Sequence, residues 1–386
     1  MYRRSAVLAL SVGLGLLGAA YGSIGSLASA TTTRSATTTA SKPAPGGRLT
    51  PATDTKTSAS VSLAGAGANS INPFFEKVFY LYHQANAKTT ITYSPAGSSV
   101  GISDIEQGTV DFGDTEIPMA KKDLAKAPGT VLQVPVDLGG VAISYNLPGV
   151  AGGLRLDGPT LAGIFAGTIT NWDSPQIAKV TGDHNLPNLA IVPVHRADSS
   201  GPGYDLYAYL IKTSPAWVAQ VGSKPSKTWP LPNIGVGEQL NSGVATYISQ
   251  KQGAIGYVEF GYALQARFTN AALENKAGSF VVPSRGSIGQ AGLQATGLSS
   301  SKFSIIYEPG PETYPLANFS WTLLYQKQSN QAKGIALGKL FDWVVTTGQK
   351  YASTLGYAPL PPDVVSLSRH TLLELQTAKG GPLFSS

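Results

Sequence analysis

The 386-residue chain has no cysteine, two methionines and four histidines, and only 13% of it is charged. Without cysteine there is no disulfide framework, no thiolate metal site and no cysteine nucleophile. The lipid-modified cysteine that follows a bacterial lipoprotein leader is missing too, so the chain is not expected to be a lipoprotein. There is no His-based zinc spacing, no P-loop and no dinucleotide fingerprint, and no cofactor is expected. A basic face is also lacking, despite a formal net charge of +6. Arg3 and Arg4 supply +2 of it and residues 31–57 another +3, leaving +1 for the whole remainder. Nucleic acid is therefore not an expected partner.

What is present starts with an export signal. Arg3 and Arg4 precede an apolar run from Ala6 to Ala20, and Ala28-Ser29-Ala30 fits a small-residue cleavage site. Residues 1–30 read as a secretory signal peptide, the apolar run being shorter than the ~20 residues a membrane span needs. A retained anchor is the alternative. Residues 31–60 are rich in Thr, Ser, Ala and Pro. Such a stretch buries too little apolar surface to offset its ordering entropy, and a disordered linker is expected there.

From Val61 onward, short β-rich runs alternate with amphipathic stretches. Val61–Ala64 reads as a strand breaking at Gly65-Ala66-Gly67-Ala68, and Phe74, Phe75, Val78, Phe79 and Tyr82 follow at helix spacing. Thr89–Tyr93 and Thr109–Gly113 read as strands, with a helix between them opened by a Ser cap at Gly97-Ser98-Ser99. Val131–Val136 and Val141–Tyr145 read as two strands, and 188–194, Ala254–Glu259 and Ala317–Tyr325 as three more. Helices are expected over 204–212, 237–249 and 331–347. The alternation predicts an α/β protein with mainly parallel sheets.

Three strand-to-helix junctions carry small residues and hydroxyls: 65–70, 97–99 and 196–201. Helix N-termini expose unpaired N–H groups and a partial positive charge, so several converging ends suit a tetrahedral oxyanion. Arg196 adds a planar fork for two oxygens, and Asp198 is placed to hold that fork. Other readings compete. Each junction is also an ordinary helix cap, and Arg196–Asp198 also reads as a surface pair. His195, Asp198 and Ser200 invite a catalytic triad, but no nucleophile elbow accompanies them. Asp111, Asp114 and Glu116 invite a metal, but too few ligands stand in order, and Asp111 and Asp114 read as turn residues.

At these loops the chain resembles the phosphate-binding proteins of high-affinity phosphate ABC importers. The matching stretches include GAGA at 65–68, TVDFG at 109–113, the run at 156–180, RADSSG at 196–201, GAIGYVEFGYA at 253–263 and the run at 341–361. The resemblance implies a two-lobed periplasmic-binding-protein fold of type II with two interlobe crossovers. Lobe 1 would span 61–138 and 313–386, and lobe 2 would span 139–312. It implies an exported, periplasmic or cell-surface monomer that is not an enzyme. Its partners would be inorganic phosphate and a membrane permease with its ATPase. By the resemblance, Asn69, Ser70, Ser98, Glu116, Arg196, Asp198, Ser200 and Gly201 would hold phosphate. Three positions depart from the family pattern: Asn69-Ser70 in place of Thr-Phe, Glu116 in place of Asp, and Pro202 in place of Thr. A carboxylate at 116 would accept a hydrogen bond from protonated phosphate and repel sulfate, which carries no proton. Glu would reach about 1.5 Å further than Asp. Another oxyanion on the same fold, a secreted phosphatase and a surface-displayed interaction protein are the alternatives.

Overall fold

The computed structural model describes residues 48–52, 59–183, 185–299, 302 and 304–385. The expected signal peptide lies outside these residues, as does most of the expected linker. Within the linker range, residues 48–52 differ from a disordered segment. Leu49 is buried and its N–H donates to Asp342, and Thr50–Pro51 pairs with Phe384–Ser385 as a short antiparallel ladder. One apolar side chain and three anchored backbone groups offset the ordering cost there.

The main sheet is built from β1 (Val61–Gly67), β2 (Thr89–Ser94), β3 (Phe112–Thr115), β4 (Val131–Tyr145), β5 (Val192–Arg196), β6 (Val236–Glu238), β7 (Ala254–Glu259) and β8 (Ala317–Tyr325). Its order is β2-β1-β3-β8-β4-β7-β5-β6, with Thr269–Asn270 added along β4. Two parallel triplets, β2-β1-β3 and β7-β5-β6, flank the pair β8 and β4. Every pairing that joins the triplets to that pair, and the pairing of β4 with β8, is antiparallel. The expectation of mainly parallel sheets therefore holds within each triplet and fails between them.

The two runs expected at 131–136 and 141–145 form one continuous 15-residue strand, buried throughout. Residues 131–140 pair with β8 and residues 141–145 with β7. Gly139-Gly140 lies where the strand changes partner. A Cβ on Gly139 would stand 2.3 Å from Glu259 Oε1, so the backbone runs too close to that side chain for any larger residue. The register shifts between Ser320, which faces Asp137, and Trp321, which faces Pro135, so that Val136 is the extra residue of a bulge beside the proline.

Helices follow the strands. α1 (Asn72–Ala85) buries the five aromatic and aliphatic residues that its spacing predicted. Phe112 sits at the centre of that packing, ringed by Phe75, Phe79, Tyr93 and Phe341. Each fully buried ring of this kind contributes about 2–3 kcal/mol relative to exposure. α2 (Ser98–Gln107), α3 (Gly201–Thr213), α4 (Leu240–Gln250) and α5 (Gln331–Val345) complete the elements that matter for the site. Among the described residues no helix is long and apolar enough to cross a membrane.

Candidate anion-binding site

All three junctions singled out in the sequence lie at C-terminal strand ends of the parallel triplets. β1 extends through Gly67, past the predicted break, before the chain turns into α1 at Ile71. β2 leads to Gly97, which caps α2 with φ +111°. Ser98 is therefore the first helical residue and not the cap. It is buried, and its hydroxyl accepts from the Glu116 N–H at 3.3 Å. β5 ends at Arg196, and Ser200 caps α3 by accepting from the Gly203 N–H at 3.1 Å. Pro202 occupies the first turn of α3, where its missing N–H costs no helical hydrogen bond.

The junctions from the two triplets meet. Ser99 and Ser199 share a hydroxyl–hydroxyl bond of 2.5 Å. Asn69 Oδ1 accepts from both the backbone and the amide of Asn241 at the start of α4, at 3.1 and 3.2 Å. Lys227 closes the rim on Asp123 at 2.9 Å.

Arg196 is 2% exposed. Its Nε donates to Asp198 Oδ1 at 2.7 Å and its Nη2 to Asp198 Oδ2, so the predicted pair is a two-point clamp. Leu240 N–H donates to the same carboxylate at 3.0 Å. The pair is thus internal, not a surface salt bridge. The remaining nitrogen, Nη1, is buried and has no hydrogen-bond partner among the described residues. A buried guanidinium N–H left unpaired is expensive, and an arriving anion would satisfy it.

Glu116 faces the same space. It is 5% exposed and does not point to solvent. Ser70 Oγ donates to its Oε2 at 2.8 Å and Asn318 Nδ2 to its Oε1 at 3.0 Å. The extra methylene relative to Asp folds the carboxyl against the start of α3. A Cβ on Gly201 would be 2.0 Å from Oε2, so that position tolerates only glycine. Burial pushes Glu116 up to about 7, against the opposing pull of Ser70, Arg196 and Asn318.

Several partners were not evident in the sequence. Asn318 also donates to Asp205 Oδ2 at 2.9 Å. Tyr357 and Tyr262 donate to the carbonyls of Ser70 and Asn69 at 2.5 and 3.2 Å, fixing that junction from behind. Asn241 carries the link on to the Glu259 N–H at 3.0 Å. Asp205 and Asn318 did leave a trace: each is a lone strong polar residue in an otherwise apolar run, DLYAYL and ANFSWTLLY.

The competing chemistries do not assemble. His195 stacks on Trp229 and directs Nδ1 at the Arg196 carbonyl, and no bond joins it to Ser200. Asp111 is bound by Lys333 at 2.7 and 2.8 Å and by the Ala64 N–H. Asp114 is not a turn residue. It is fully buried in β3, accepting from Ser320 and Thr322. No group of three or more metal-ligating side chains is gathered among the described residues.

Two triplets joined by antiparallel crossover strands, with helix starts converging between them, define the two-lobed solute-binding class. Residues 50–347 match the PBP_like_2 family, a PBP superfamily domain. The chain is 37% identical over 309 residues to the phosphate-binding protein PstS of Xylella fastidiosa, covering 79% of this chain and 83% of that one. It is 37% identical over 307 residues to PstS of Pasteurella multocida, covering 79% and 88%. A phosphate-bound periplasmic phosphate-binding protein, PfluDING, superposes with a TM-score of 0.66 at 17% identity, over 80% of this chain and 93% of that one, and shows the shared fold. The chain belongs to the PBP superfamily and, within it, to the PstS family of phosphate-binding proteins.

Proposed function

We propose that this protein captures inorganic phosphate outside the cytoplasmic membrane and delivers it to an ABC-type importer, without chemical turnover. The observation that carries the reading is the buried, unpartnered Arg196 Nη1, held in place by Asp198. Around it stand Ser98, Ser200 and the α3 N–H groups from Gly201 as donors, Asn69 and Ser70 on the neighbouring junction, and Glu116 as the acceptor. An acceptor facing a guanidinium suits an anion that is charged and still protonated. The relatives' name, phosphate-binding protein, agrees with that chemistry.

Lobe 1 is taken as 61–138 with 313–386, and lobe 2 as 139–312. The first boundary then falls in β4 beside the change of partner at Gly139-Gly140. Ser99–Ser199 and Lys227–Asp123 join residues of the two lobes so taken, and an anion that bridges the lobes would shift the population toward closure. A leader and tether at the N-terminus would keep the monomeric body outside the membrane.

Titration calorimetry with phosphate, arsenate, sulfate and molybdate tests the reading. Phosphate and arsenate should bind and sulfate should not. Equal binding of phosphate and sulfate, or binding of neither, would overturn it.

A further inference from the structure

Glu116 is held by a donor it shares with a second buried acid. The Asn318 side chain, on β8, directs one amide hydrogen to Glu116 Oε1 at 3.0 Å and the other to Asp205 Oδ2 at 2.9 Å. All three residues are at most 5% exposed. Asp205 lies one turn beyond Gly201 on α3, the helix whose start packs against the Glu116 carboxyl. One primary amide thus connects two carboxyls that arrive from different elements.

Two ionised carboxylates so close, both buried, would repel strongly, and one neutral amide does not offset that. The surroundings add little compensation. The positive group facing Glu116 is Arg196 from β5, already neutralised by Asp198. The other ionisable neighbours are the acids Asp114 from β3, Asp137 from β4 and Glu259 from β7, and the phenols of Tyr93 and Tyr357, which burial holds neutral. Asp137 Oδ1 and Glu259 Oε2 are buried without hydrogen-bond partners among the described residues, which disfavours a charge on either group. Between Glu116 and Asp205 the proton has a preferred seat. Glu116 has Ser70 and the Arg196 charge to favour its ionised form, whereas Asp205 has only Asn318.

We propose that Asp205 and Asn318 are specificity-determining positioning residues: protonated Asp205 anchors the Asn318 amide, and that amide keeps Glu116 an ionised acceptor aimed at the hydrogen of the bound anion. The proposal rests on the phosphate reading. It adds that discrimination against unprotonated oxyanions depends on a neutral hydrogen-bond acceptor at 205, not on a second negative charge. Burial pushes Asp205 well above its ordinary range, in the direction the geometry requires.

The test measures affinities of the full chain for phosphate and sulfate by calorimetry at pH 8, with melting temperature recorded for each variant. Asp205→Asn supplies an uncharged acceptor and should leave the phosphate-to-sulfate ratio within about twofold of the parent. Asp205→Leu removes the acceptor, and Asn318→Ser shortens the bridge. Each should lower the ratio about tenfold or more, the consequence of one buried polar group losing its partner. If Asp205→Leu does not fold, Asn318→Ser carries that arm. A ratio that falls equally in Asp205→Asn would show that the charge matters and overturn the proposal. So would an unchanged ratio in Asn318→Ser. Glu116→Gln is the control for the underlying reading. If it leaves the ratio intact, the role of Glu116 itself is wrong, a failure distinct from that of the Asp205–Asn318 pair.

Discussion

In the proposed site, Glu116 is the residue at which affinity and selectivity separate. As a carboxylate it would accept from a protonated phosphate oxygen and repel an oxyanion with no hydrogen to give. Once protonated it becomes a donor, and that repulsion disappears. Burial lifts its titration to about 7. The ionised form therefore dominates above that pH and the neutral form below it. The phosphate-to-sulfate ratio should fall as pH drops from 8 to 5.5, and competition binding at several pH values would record it. Glu116→Gln, which cannot ionise, should show the low ratio at every pH. A ratio independent of pH in the parent protein would contradict this account of the acceptor.

At the scale of elements, the crossover strand β4 decides how the site is assembled. Its Gly139 runs against Glu259 Oε1, which accepts from the Gly140 N–H at 2.8 Å. Gly139→Ala should therefore push that buried carboxyl from its seat and destabilise the protein by about 1–3 kcal/mol, read by denaturant titration. A change below about 0.5 kcal/mol would mean the strand yields without cost. This strand also shows where the sequence could be read and where it could not. The α1 helix was legible because its apolar residues recur at a period the chain itself displays. The loops at 97–99 and 196–201 were legible because glycine and serine before a helix have a local reason to be there. β4 reads in the sequence as two strands, and Asp137 and Gly139-Gly140 lie between the two runs. Gly139 is required by Glu259, 120 residues away, and Gly140 by Ile288, 148 residues away. Asp114 was misread in the same way. Its partners Ser320 and Thr322 lie on β8, more than 200 residues distant. The Asn318–Glu116 and Asn241–Asn69 contacts span 202 and 172 residues, and no local pattern encodes such pairings.

For the whole molecule, the buried acids set an uncommon dependence of stability on pH. Asp114 is pushed up to about 8 and Glu116 to about 7, and Asp137, Asp205 and Glu259 are pushed well up, in each case chiefly by burial. In the unfolded chain these groups titrate near 4. Between about pH 4 and 8 the folded state thus binds more protons than the unfolded state. Their contribution to stability is full below about pH 4 and is lost as pH rises through that window. Asp123, held down by Lys227, acts in the opposite sense, but only in more acid solution. Freed of phosphate by dialysis, the protein should melt at a higher temperature at pH 5 than at pH 8. The reverse order would show that these carboxyls are ionised in the fold.

Joining these scales is the claim that the Arg196 guanidinium, fixed by Asp198 and otherwise unpaired, is the seat of a phosphate anion. Titrating phosphate into the purified protein and into Arg196→Ala tests that claim most directly. Loss of a buried, charge-assisted partner should weaken binding at least about a hundredfold, with the fold retained by circular dichroism. An alanine variant that binds phosphate as tightly as the parent would contradict it.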